Sequence, residues 1–364
     1  MEHRAENTLP TGSKSKKAGR NRYYSGPVTD HFDGTCFFNP GGSPPNGLRD
    51  LLKWQFREKR TRWPPRYDSP FNGTAPDARV DGDGMRVTMV GHATMLIQVA
   101  GLNILTDPVW SQRVSPLTFV GPKRVNAPGI AFDRLPDIDL VLLSHNHYDH
   151  LDIDTLTRLH RHHRPQVVTP LGNDTIVHAA EPHMQIKTGD WGEVIDIGGD
   201  VHVHIEPCHH WSARGSRDRR MALWAAFVLE TPAGRIYHIG DTGFHEGVNY
   251  KKAYEKFGGF RLAVLPVGAY EPRWFMKDHH QDPHEAVEGF EMCAAEHAVG
   301  HHWGTFQLTN EAVEDPVAQL SDALAKKGIE RDRFRTLRPG ESWDIPATIE
   351  ATSDTPKQTA SGNL

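Results

Sequence analysis

Six consecutive residues, His145-Asn146-His147-Tyr148-Asp149-His150, place three imidazoles and one carboxylate directly after the apolar run IDLVLLS at 138–144. No other part of the chain restricts the fold as much. A short apolar run of this kind reads as a buried strand. A strand end followed by a tight loop can fan these side chains around two metal ions. Alternate residues of extended chain point the same way, so His145 and His147 can share one ion. Asp149 and His150 can then reach a second. A mixture of imidazole and carboxylate donors suits zinc, with other divalent metals admissible. Two ions need more than four ligands, and later candidates recur where strands give way to loops. They are His209-His210 after VHVHIEPC, Asp241 after RIYHIG, and His301-His302 after AVG. A site assembled on the lip of a β-sandwich requires such a recurrence.

The surrounding pattern predicts alternating strands and helices from Met85 onward. RVTMV, TMLIQV and NILT read as short strands separated by glycine turns, and QVVTP, VHVHIE and LAVLPVG as further strands. LWAAFVLE and RIYHIG, joined by TPAG, read as a hairpin. Helices are predicted over 152–162, over 283–297 with Pro283 near the start, and over 316–328. The chain shows no solenoid repeat, no glycine-rich phosphate loop and no nucleophile elbow. Ahead of this body, residues 1–22 read as a disordered basic tail and 23–84 as an N-terminal extension. Within the extension, 48–60 predicts a helix with Leu48, Leu51, Leu52 and Phe56 on one face and Trp54 off it. Such a stripe more often packs on the body than on a membrane. The catalytic domain is assigned to 85–345 and a flexible tail to 346–364.

Composition narrows the class. Of 364 residues 37% are hydrophobic, enough for a sizeable core, and 23 are His, an excess that favours metal sites. The three cysteines, Cys36, Cys208 and Cys293, are odd in number and far apart, which points to a reducing, cytoplasmic compartment. The N-terminus lacks the apolar segment of a secretory signal, and no stretch approaches the roughly 18 apolar residues of a membrane span. Twelve Lys and Arg against six acids give residues 1–62 a charge of +6, so with -5 overall the remainder carries -11. An acidic body with a basic front does not suit a nucleic-acid groove through the catalytic region. It suits a front end lying on the anionic inner face of a membrane.

HNHYDHLD, HHW, GDTG, GAYEPRWFMK and HHWGTF, in this order, resemble N-acyl-phosphatidylethanolamine-hydrolysing phospholipase D and its bacterial relatives within the metallo-β-lactamase superfamily. The resemblance runs from about Tyr24 to Glu341. It implies an α/β fold, layered αβ/βα, with two facing mixed β-sheets and helices outside. It implies two Zn2+ per chain, with His145, His147 and His210 holding one ion, Asp149, His150 and His302 the other, and Asp241 bridging. His209 and His301 become neighbours rather than ligands, because the family motif matches the histidine before each tryptophan. Asp149 and Asp241 are the catalytic carboxylates. Asp107, in LTDP, orients the histidine loop from behind the ligands. Tyr148, Tyr270, Arg273, His279 and His280 are the expected substrate contacts. The family has Gln where His279 stands, so the head-group contacts differ here. The implied reaction is metal-dependent phosphodiester hydrolysis of a phospholipid, with peripheral membrane contact and no nucleic-acid partner. A lactonase or soluble phosphodiesterase is the alternative on the same fold. A di-iron redox or sensor protein would want more carboxylate and a flavin module, and a binding protein without turnover is the last alternative.

Other features take plainer readings. His160, His162 and His163 read as a solvated helix end, His202 and His204 as surface or packing residues, and His92 as support near the site. Cys208 reads as a buried inert thiol.

Overall fold

A computed structural model describes residues 20–71 and 75–347. The basic tail and the final polar segment thus lie outside the described residues, apart from the ends of each nearest the body. Two seven-stranded sheets form the body. The first contains β1 (Met85–Gly91), β2 (Thr94–Val99), β3 (Leu102–Thr106), β4 (Leu140–Leu142), β5 (Gln166–Pro170) and β6 (Ile186–Gly189). The second contains β7 (Val194–Gly198), β8 (Val201–Glu206), β9 (Ala226–Thr231), β10 (Gly234–His238), β11 (Phe260–Pro266), β12 (Ala295–His301) and β13 (Phe334–Thr336). The last strand, β14 (Ser342–Asp344), returns to the first sheet beside β1. Strand order is β14-β1-β2-β3-β4-β5-β6 in one sheet and β13-β12-β11-β10-β9-β8-β7 in the other.

The helices are α1 (Leu48–Arg57), α2 (Ile153–His162), α3 (Asn173–His178), α4 (Val248–Phe257), α5 (Arg273–Met276), α6 (Pro283–Met292) and α7 (Asp315–Lys327). This matches the expected two facing mixed sheets with helices around them. All six residues of β2 and all seven of β11 are buried, so both faces of the central strands are covered.

Local chemistry sets the boundaries. The carboxylate of Asp152 accepts from the Thr155 N–H and starts α2. Asp282 and Glu285 form a capping box that starts α6, with Pro283 in its first turn. The expected helix over 283–297 overruns. Ala294 turns left-handed at φ 49°, and Ala295 opposite Phe260 begins the parallel pairing of β12 with β11. The run IDLVLLS yields only three paired residues, because the Ser144 N–H is donated to Asp107 Oδ1 instead of to a neighbouring strand. Among the described residues no helix is long and apolar enough to cross a membrane.

The topology gathers strand ends. Strands β3 and β4 run parallel, as do β10, β11 and β12. Strand β8 is antiparallel to β9, which is antiparallel to β10, so β8 shares their direction. The loops after β3, β4, β8, β10 and β12 therefore meet at one edge of the sandwich.

Candidate metal centre

Those loops carry the candidate residues. His145 Nε2 lies 2.9 Å from His147 Nδ1, and His210 Nε2 lies 3.2 Å from the same atom. Beside this trio, Asp149 Oδ2 is 3.2 Å from His302 Nε2, and Asp241 Oδ2 is 3.2 Å from His150 Nε2 and 3.1 Å from His302 Nε2. Asp241 Oδ2 is also 3.8 Å from His210 Nε2, so this carboxylate stands between the two groups.

Outer hydrogen bonds decide which nitrogens face inward. The Ser144 hydroxyl donates to Asp107 Oδ2 and accepts from His145 Nδ1, leaving His145 Nε2 as a lone pair. His210 Nδ1 donates to the His279 carbonyl at 3.0 Å, and His150 Nδ1 to Asp107 Oδ2 at 2.8 Å. Second partners of this kind fix ring orientation at metal sites. His92 Nε2 bonds Asp149 Oδ2 at 2.9 Å and steadies that carboxylate. His92, Asp107 and His302 all have left-handed backbones, at φ 58°, 35° and 65°. Non-glycine residues hold such conformations only when their surroundings enforce them.

The donor set fits a metal. His150 Nε2 and Asp241 Oδ1 are buried without a hydrogen-bond partner. Burial pushes His145 and His210 well below the ordinary imidazole range and His147 down to about 4, so these rings are neutral, the form in which an imidazole can bind a metal. Burial alone would raise the carboxyl of Asp241, yet the imidazoles of His302 and His150 hold it well below its usual range. Asp149 behaves alike, against burial, through His150, His302 and His92. Burial opposes charge on His302 and His150, but the surrounding carboxylates raise His302 to about 9 and His150 well above its usual value. Two buried carboxylates, Asp107 and Asp241, with the half-buried Asp149 beside them, demand positive charge. The His and Asp residues here can supply it by binding metal in place of those protons.

The two histidines of each tandem pair part. His209 leaves the cluster, bonding Asn249 at 2.8 Å and stacking on His245. His301 turns into the core, 5.4 Å from His238 ring to ring. Cys208 is buried, and burial pushes its thiol well above the usual range. His204 is a paired residue, bonded to Glu230 at 2.9 Å.

A cleft of about 640 Å³ opens over the cluster, with His147, Asp149, Asp241 and His302 on its floor. Leu51, Trp54, Trp211, Phe275, Met276 and Leu308 give it apolar walls. His279 and His280 reach it, and His280 Nδ1 lies 4.0 Å from Asp241 Oδ2. The other expected substrate contacts sit elsewhere. Arg273 is taken up by Glu285 at 2.7 Å, Asp282 at 3.5 Å and the His280 carbonyl at 2.8 Å. Tyr270 is buried with its hydroxyl unpartnered. Tyr148 faces a second, polar cleft under the guanidinium of Arg214. Arg214, unremarked in the sequence, braces the histidine loop by donating to the carbonyls of Asn146 and Leu151. No local pattern distinguishes it from other arginines.

The family model of the beta-lactamase superfamily domain matches residues 102–303. The chain is 36% identical over 325 residues to N-acyl-phosphatidylethanolamine-hydrolyzing phospholipase D 1 of Caenorhabditis elegans, covering 85% of this chain and 90% of that protein. It is 32% identical over 251 residues to the mitochondrial N-acyl-phosphatidylethanolamine-hydrolyzing phospholipase D of Saccharomyces cerevisiae, covering 68% of this chain and 53% of that protein. Among solved structures, an isothiocyanate hydrolase from Delia radicum gut bacteria shares the fold, with a TM-score of 0.58 at 19% identity over 72% of this chain and 100% of that one. The chain belongs to the metallo-β-lactamase superfamily of metal-dependent hydrolases, in the branch of N-acyl-phosphatidylethanolamine-hydrolysing phospholipase D.

Proposed function

We propose that this chain hydrolyses the phosphodiester of an N-acylated phosphatidylethanolamine, releasing the N-acylethanolamine and phosphatidic acid. The observation that carries the reading is an apolar-walled cleft standing directly over the cluster of imidazoles and carboxylates. The similarity to the phospholipases D above supports the same substrate class.

The proposed centre would hold two zinc ions. His145, His147 and His210 would take one and Asp149, His150 and His302 the other, with Asp241, which stands between the two groups, available to both. When bound, such a pair supplies hydroxide at neutral pH and neutralises phosphoryl oxygens. The chain's own groups do the rest. His92 holds Asp149, and Asp107 holds His150 and, through Ser144, His145. His280, pushed down to about 3 by burial, is neutral and offers one ring N–H to a phosphoryl oxygen beside Asp241. Arg273 holds the His280 backbone in place through its carbonyl. The walls of Leu51, Trp54 and Phe275 take acyl chain and exclude water. The catalytic domain in this reading is 85–345, and the extension 23–84 supplies one wall.

The same reading includes peripheral membrane contact. Leu51, Leu52 and Phe56 of α1 are 39%, 46% and 83% exposed, and a loop at Leu117, Phe119 and Val120 is also exposed. Arg49, Lys53, Arg57 and Lys59 accompany the first group, a combination suited to an anionic interface.

The test is purified, metal-replete protein given N-acylated phospholipids, lactones and soluble phosphodiesters. Release of N-acylethanolamine with close to two metal ions per chain by elemental analysis is expected. One ion or none would sink the dinuclear centre. Turnover confined to a lactone or a soluble phosphodiester would transfer the assignment to that substrate.

A further inference from the structure

Behind the cluster, between the sheets, stand two histidines that the proposed chemistry does not use. His238 closes β10 and His301 closes β12, and both are fully buried. None of their four ring nitrogens has a hydrogen-bond partner among the described residues. A buried polar group left unpaired is costly, and each one in a folded protein calls for an explanation. Phenylalanine would fill either space without desolvating two nitrogens, and Phe227 already lies stacked 6.3 Å from His238.

The explanation for His238 lies in Asp107. That carboxylate is wholly buried and accepts from the Ser144 N–H at 2.7 Å, the Ser144 hydroxyl at 2.7 Å and His150 Nδ1 at 2.8 Å. Every one of those bonds orients the loop that carries His145 and His150. His238 Nε2 stands 3.7 Å from Asp107 Oδ2. A neutral imidazole has one N–H and one lone pair. Beside an anion the tautomer with hydrogen on Nε2 is favoured, since the other would set a lone pair against the carboxylate.

We propose that His238 is a positioning residue for the metal centre, turning its Nε2–H toward Asp107 and holding that carboxylate in the orientation that aims His150 and Ser144. His301 is equally buried but, among the described residues, has no carboxylate within the same reach, so it serves as the packing comparison. The proposal rests on the metal-centre reading above.

The test compares zinc affinity, by competition with a chromophoric chelator, in the wild type, H238F, H238Q and H301L. Thermal unfolding of each metal-free protein is followed by circular dichroism. H238F is expected to bind zinc about 10–100-fold more weakly, the usual effect of losing an outer partner, while its metal-free form unfolds no earlier than the wild type. H238Q, which restores an N–H donor, is expected to recover most of the affinity, and H301L to stay within about twofold of wild type on the same scale. Where H238F does not fold, H238M provides the apolar arm. Unchanged affinity in the apolar variant overturns the proposal. So does equal weakening in H301L, which would make the effect one of packing. A wild type that binds no zinc refutes the metal-centre reading and this inference with it.

Discussion

Trp54→Ala is expected to loosen α1 from the body while leaving the metal cluster in place. The indole N–H donates to Asn310 Oδ1 at 2.9 Å, and its ring lies 4.9 Å from that of Phe275 at a 32° tilt. The opposite face cannot hold the helix, because Leu52 and Phe56 are 46% and 83% exposed. A net hydrogen bond is worth about 1 kcal/mol and an aromatic pair about another 1 kcal/mol. The total of about 2 kcal/mol is below the roughly 3–5 kcal/mol of a fully buried tryptophan, as suits a side chain only partly buried. A ten-residue helix does not persist alone in water, so the loss appears as local opening. About 2 kcal/mol corresponds to roughly a 30-fold larger open population. Downstream the chain stays tied, by the Thr61 N–H to the Asn310 carbonyl, Arg60 to the Thr309 carbonyl and Trp63 to the Glu311 carbonyl. The effect is thus confined to α1. Hydrogen exchange with peptide resolution is the assay: amides of residues 51–57 should exchange about 30-fold faster, with β11 and β12 unchanged. A change under about threefold would refute the reasoning and mean that the leucine face, not the indole, secures the helix. KM for a lipid substrate should rise, since one wall of the cleft goes with the helix.

The tandem histidines give a paired prediction: His210→Ala and His302→Ala should abolish metal-dependent turnover, while His209→Ala and His301→Ala keep much of it, and a reversed result would show the ligand register to be wrong. Wild type should float with anionic vesicles at low salt, with Arg57→Glu/Lys59→Glu largely failing to do so while still turning over a soluble substrate; equal flotation of the variant would remove the membrane contact. Glu311 accepts from the Ala269 and Glu271 N–H groups and the Thr309 hydroxyl, and burial raises its carboxyl above the usual range. The protonated form is therefore favoured by folding, a stabilisation full below the unfolded value and lost as pH rises through the raised folded one. Glu311→Gln should be less stable by about 1–2 kcal/mol near pH 4.5 through its lost acceptor, and the gap in melting temperature should narrow toward pH 7; a gap independent of pH would contradict this.

Much of the site was legible because its chemistry is local. His145, His147, Asp149 and His150 fall within six residues at the end of an apolar run, and alternation along a strand is a property of the chain itself. In each tandem pair one histidine turns to the cluster and the other away, His302 doing so through a left-handed backbone at φ 65° that no strand alternation supplies. Capping residues marked α2 and α6 for a similar reason: Asp152 and Asp282 bond N–H groups only three residues on.

What escaped the sequence depends on partners far along the chain. The apolar stripe of α1 suggested a buried face, yet a hydrophobic pattern states only that one face is apolar, not what lies opposite. Asn310 and Phe275, more than 200 residues away, decided that Trp54 docks, that Leu51 lines the cleft and that Leu52 and Phe56 remain outside. Arg273 lies in a run that resembled a substrate clamp, but its guanidinium meets the carboxylates of Asp282 and Glu285 at the start of α6. The short strands β6, β7, β13 and β14 carry too few residues to show a period and exist because a longer neighbour offers a ladder. The sequence by itself, through its motifs and the family they resemble, indicated the class of fold and named the candidate donors of the centre, since motif and donor chemistry act over a few residues. Only the tertiary structure decided which faces meet, which charges are already paired, and that His238 stands behind Asp107, since those follow from packing between segments that the chain brings together only on folding.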